Sequence, residues 1–120
     1  MIKILLADKQ PAILKGLSMN LALEPDIEIV GSTSNGRDLL TLYQEAQPDV
    51  VVLDIDLLLE TDGQALSALA AQAGRVIIAH SLYDNRALKT KALANGARLF
   101  VVKQGESQQL LAAIRRAGQQ

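Results

Sequence analysis

A chain of 120 residues is the size of one domain around one core; at 49% hydrophobic and only 2% aromatic, that core must be aliphatic. The formal net charge of -1 gives no field for holding nucleic acid non-specifically, and the lack of cysteine excludes disulfides, thiol catalysis and thiolate metal sites. The opening Met1-Ile2-Lys3-Ile4-Leu5-Leu6 is interrupted by Asp8 too early for a signal peptide, and no apolar run approaches the roughly 20 residues of a membrane span, so a cytoplasmic protein is expected.

Short apolar runs alternate with longer amphipathic ones. Ile2 to Ala7 reads as a buried strand ending in Asp8. Gln10 to Glu24 places Ile13, Leu14, Leu17 and Leu21 at helical spacing, with Pro11 suited to a first turn. Ile27 to Gly31 is a second strand, and Asn35-Gly36 leads to a helix over Arg37 to Gln47 that Pro48-Asp49 stops. Val50-Val51-Val52-Leu53 is the strongest strand signal and ends at Asp54. Gly63 to Gln72 reads as a helix rich in alanine and leucine, and Val76 to Ala79 as a fourth strand. Asp84 to Ala94 is a helix closed by Asn95-Gly96, Leu99 to Val102 a fifth strand leading to Lys103, and Ser107 to Ala117 a last helix. Five strands alternating with five helices argue for a parallel sheet covered on both faces.

In such sheets, sites form at the carboxyl ends of the strands. There the sequence puts Asp8, Asp54, His80 with Ser81, and Lys103: carboxylates, a hydroxyl and an amine at one edge. Together with Ile4-Leu5-Leu6-Ala7-Asp8, Pro48 to Asp54, Asp62-Gly63 and Asn95-Gly96-Ala97, these segments resemble the receiver domain of two-component signalling. The Asp8-Lys9-Gln10-Pro11 and Ser81-Leu82-Tyr83-Asp84 stretches are most similar to the branch that carries a helix-turn-helix DNA-binding domain. The resemblance implies a flavodoxin-like, doubly wound sheet in the order 2-1-3-4-5 with five helices. Residues 1–120 would form one receiver domain, with any output domain outside this chain.

It also implies roles. Asp54 would be the nucleophile taking a phosphoryl group from a phosphohistidine of a sensor kinase or phosphotransfer protein. An aspartate is already ionised near neutral pH, so it needs no general base; it needs charge neutralisation around the phosphoryl oxygens. Lys103 matches the lysine that pairs with one oxygen, Ser81 the switch hydroxyl, and Phe100 the aromatic whose rotamer reports the state. Asp8, Asp54 and Asp56 match a magnesium site, Asp56 through its backbone carbonyl. Plainer readings stand beside these. Asp54 ends a strand and could be a turn residue, and Asp8 could cap the helix starting near Pro11. Ser81 could cap the helix after it, Lys103 could be solvated, and Phe100 could be packing. His80, the only histidine, has no evident partner and receives no role.

Two departures from the pattern matter. Receivers usually follow the first acidic residue with a second that ligates magnesium; here it is Lys9, and an ammonium cannot coordinate a hard cation. Asp8 and Asp54 facing Lys9 and Lys103 balance without a divalent ion, so magnesium binding is expected to be weak or absent. At about 4 Å, attraction between Lys9 and Asp54 is on the order of 4 kcal/mol at an intermediate dielectric, before desolvation. The second departure is the stretch Asp54 to Gly63, a longer loop without proline. Its Leu57, Leu58 and Leu59 are expected to tuck under the sheet, the alternative being an exposed contact patch.

Three functions follow. One is a phosphorylation-controlled receiver acting on transcription, and a second is an atypical receiver working through protein contact without magnesium-dependent phosphorylation. The third, a haloacid-dehalogenase-like phosphatase, is suggested by Val52-Leu53-Asp54-Ile55-Asp56, but that motif normally ends a first strand and no later acidic pair suits magnesium. The first two are not enzymes. DNA is reached only through an absent output domain, no membrane contact is expected, and a weak homodimer through a face including the last helix is expected by analogy.

Overall fold

The computed structural model describes residues 1–60, 68–69, 71, 76–103 and 108–118. One parallel sheet runs through it, made of β1 (Ile2–Ala7), β2 (Ile27–Thr33), β3 (Val50–Asp54), β4 (Val76–Ser81) and β5 (Leu99–Val102). Its order is β2-β1-β3-β4-β5, the flavodoxin-like arrangement. Against it pack α1 (Pro11–Ala22), a 3-10 turn (Gly36–Asp38) continuing into α2 (Leu39–Ala46), then α3 (Ile55–Glu60), α4 (Arg86–Ala94) and α5 (Gln108–Gly118).

The central strand shows why these residues fold this way. All five residues of β3 are buried, because a strand flanked by β1 and β4 has helices over both faces and needs apolar side chains at every position. The two faces still alternate. Ile4, Leu6, Val50, Val52, Ile78 and Val101 point to the side of α1 and α5, meeting Leu21, Leu110 and Ile114. Leu5, Ala7, Val51, Leu53, Ile77 and Ala79 point to the side of α2, α3 and α4, meeting Leu39, Tyr43, Leu57 and Ala92. Tyr43 is the one fully buried aromatic, so the core is aliphatic as the composition requires. The β1–β2 register slips between Ile4 and Leu5, and there Gly31 faces Leu5; a Cβ on Gly31 would stand 3.0 Å from Leu5 Cδ1.

Two sequence expectations need amendment, and a third falls mostly outside the described residues. The stretch after Asp54 is helical from Ile55, where a loop was expected. Leu57 is 1% exposed and so tucks into the core; the side chains of Leu58 and Leu59 lie outside the described set. The helix expected over Gly63 to Gln72 lies mostly outside the described residues, of which Ala68, Leu69 and Ala71 are helical, and Asp62-Gly63 and Ser107 lie outside them. Finally, Asn85, not Ser81, caps α4: its side chain accepts from Ala87 N at 2.9 Å and Leu88 N at 3.2 Å.

Candidate functional site

Strand alternation selects the side chains that meet at the carboxyl edge. Continuing the row Ile4-Leu6 reaches Asp8, Val50-Val52 reaches Asp54, Ile78 reaches His80, and Leu99-Val101 reaches Lys103. All four positions belong to the α1/α5 side of the sheet. The structure brings three of them into contact. Lys103 Nζ donates to Asp8 Oδ2 at 2.8 Å and to Asp54 Oδ1 at 3.0 Å, with side-chain exposures of 9% for the lysine and 2% for each carboxylate. Backbone amides serve the rest: Gln10 N donates to Asp8 Oδ1 at 2.9 Å, Lys9 N to Asp54 Oδ2 at 3.1 Å, and Asp56 N to Asp54 Oδ1 at 3.4 Å. Each of the four carboxylate oxygens therefore accepts from an N–H group.

Asp8 combines two jobs. One oxygen closes the turn that aims the chain into α1, where Gln10 offers no side-chain cap and Pro11 takes the first helical position. The other oxygen holds Lys103. Burial pushes Asp8 up from 3.8, more than the hydrogen bonds from Lys103 and Gln10 pull it down, and the nearby Asp54 adds to the rise. For Lys103, burial works against the charge, but hydrogen bonds to Asp8 and Asp54 outweigh it and raise the ammonium above 10.5. Burial thus decides the direction for Asp8, and the two carboxylates decide it for Lys103.

Ser81 and Phe100 fall on the opposite parity. The Ser81 hydroxyl, fully buried, accepts from Tyr83 N at 3.0 Å rather than joining the Asp54 cluster. Ser81 also ties the edge together through its backbone carbonyl, which accepts from Lys103 N. Phe100 packs, partly buried, against the α2/α3/α4 core. Asp56 reaches the cluster through its backbone N–H. His80 went without a role in the sequence, yet it pairs with Asp54 across β3 and β4 and is 5% exposed. The two-residue repeat that places Ile78 with Val52 would have placed His80 beside Asp54. Among the described residues, no three His, Cys, Asp or Glu side chains group as metal ligands.

Comparison with known proteins places this geometry in context. Residues 4–115 match the family model described as response regulator receiver domain. The chain is 33% identical over 119 residues to the transcriptional regulatory protein DesR of Bacillus subtilis, covering 96% of this chain and 57% of that protein. It thus spans little more than half the length of that regulator. It is 29% identical over 120 residues to the chemotaxis protein CheY of Listeria monocytogenes, covering 98% of both. Among solved structures it is similar to the response regulator domain of Thermotoga maritima CheB, with a TM-score of 0.87, 25% identity, and coverage of 100% of this chain and 98% of that one.

Proposed function

The chain belongs to the response regulator receiver domain family, and from that premise we propose that it accepts a phosphoryl group on Asp54 and thereby changes its protein contacts to control transcription. The donor is a phosphohistidine of a sensor kinase or phosphotransfer protein. Asp54 attacks phosphorus, the O–P bond forms as the N–P bond breaks, and the departing imidazole nitrogen keeps the electron pair and takes a proton. The observation that carries this reading is the Lys103 ammonium lying between the Asp8 and Asp54 carboxylates. It lies against the acceptor carboxylate, charged and nearly dry, within reach of the negative charge that the transfer brings. The Ser81 hydroxyl uses a lone pair on Tyr83 N and keeps its own proton to donate to a phosphoryl oxygen, which supports its assignment as the switch.

The family resemblance also implies Mg2+, with Asp8, Asp54 and Asp56 as its site. The residues present do not fit it. All four carboxylate oxygens accept from N–H donors, Lys103 lies between the two acids, and Lys9 stands where a further carboxylate would be needed. No step above depends on the metal. This misfit favours a second reading, a receiver that works by protein contact without being phosphorylated. The phosphatase reading lacks such support, because Asp54 closes the third strand and not the first.

One experiment separates the readings. Acetyl phosphate is added with and without magnesium, and intact mass is measured. The phosphorylation reading expects an adduct of one phosphoryl group that Asp54→Asn abolishes; no adduct under either condition favours the contact-only receiver.

A further inference from the structure

His80 is the one buried polar side chain beside Asp54 that the mechanism leaves idle. Its Nδ1 has no hydrogen-bond partner, although the residue is 5% exposed. Burial first, then the Lys103 ammonium, push the imidazole down to about 4. It is therefore neutral near pH 7, with one ring nitrogen protonated and the other an acceptor. Lys103 presents the complementary vacancy. An ammonium has three protons, and two go to Asp8 and Asp54; the third has no acceptor among the described residues. An unused acceptor and an unused donor thus lie on the same side of two neighbouring strands, near enough for the ammonium's charge to act on the imidazole, and neither is exposed enough to be readily satisfied by water.

We propose that His80 is a positioning residue for Lys103, its Nδ1 taking the third ammonium proton once Lys103 leaves its resting place between the carboxylates. The inference rests on the reading of Asp54 as the phosphoryl acceptor. A phosphoryl oxygen stands farther from the Asp54 backbone than Oδ1 does, so Lys103 must shift to follow it. Held by that oxygen, Asp8 Oδ2 and Nδ1 together, the tetrahedral ammonium has one orientation; held by two acceptors, it swings.

The single histidine makes the test direct, by nitrogen-proton correlation of the imidazole in the full chain. The Nδ1 resonance is compared in wild type, in acetyl-phosphate-treated wild type and in Asp54→Asn, whose neutral amide oxygen holds Lys103 less strongly than the carboxylate does, without any phosphoryl group. We expect Nδ1 to move to a hydrogen-bonded position in the adduct and in Asp54→Asn. In His80→Leu the adduct should form more slowly by on the order of tenfold, the worth of one hydrogen bond to a charged group, and His80→Asn should recover part of that rate. An adduct with an unmoved Nδ1 overturns the positioning role and leaves the reading of Asp54 standing. No adduct, with Nδ1 displaced in Asp54→Asn, does the reverse. No adduct and no displacement defeats both.

Discussion

Lys103 is held by two acids that water cannot reach, which makes it the residue whose loss the fold should feel most. Replacing it by Met leaves both carboxylates buried without a cation, so Lys103→Met should destabilise the domain by about 3–5 kcal/mol in urea denaturation at pH 7. The deficit should shrink toward pH 4 as Asp8, already pushed up by burial, takes a proton. His80 contributes in the opposite sense. Its folded value of about 4 lies below the ordinary 6.5, so the stability it confers is full above pH 6.5 and disappears as pH falls through 4. That amounts to roughly 3 kcal/mol by linkage, and His80→Leu should lack this acid dependence when its denaturation is compared with wild type from pH 7 to 4. At this scale the sequence was legible for Asp8, Asp54 and Lys103, because each follows an apolar run that can only be a strand. The backbone donors at Lys9, Gln10 and Asp56 were not legible. They come from the path of the chain, and side-chain types carry no sign of it.

Among the elements, α3 is where local pattern and structure part. Ile55-Asp56-Leu57-Leu58-Leu59-Glu60 has too little polarity to show a helical period, and it follows a strand without a glycine or proline to mark the change. What makes it a helix is the place it must fill. Ile55 and Leu57 are 2% and 1% exposed and close the α2/α3/α4 side of the core beneath the pocket. Leu57→Ala should therefore cost about 3 kcal/mol by denaturant unfolding. A value near zero would mean that the stretch is the exposed patch considered from sequence. The strands were easier to read. A buried parallel sheet asks for unbroken aliphatic runs, and Val50 to Leu53 is one. Helix ends were read less well: α4 begins at Arg86 because Asn85 offers a better cap than Ser81, whose hydroxyl is already committed to Tyr83.

For the molecule as a whole, the two sides of the sheet divide the labour. The α1/α5 side holds the charged cluster, while Ser81 and Phe100 lie on the other parity. α5 turns Leu110 and Ile114 into its own core, so the homodimer we propose for the helix face would rest on its exposed residues, Gln109, Ala112 and Arg116 among them, and would be weak. Among the described residues no helix is long and apolar enough to cross a membrane. We propose that Lys103, rather than a divalent ion, neutralises the two acids of this cluster. Magnesium titration by calorimetry of wild type beside Lys9→Asp tests it most directly. Little or no binding is expected for wild type, and an affinity at least on the order of tenfold higher for Lys9→Asp, where a cation is exchanged for a hard oxygen ligand. Tight binding by wild type that Lys9→Asp does not improve would contradict it.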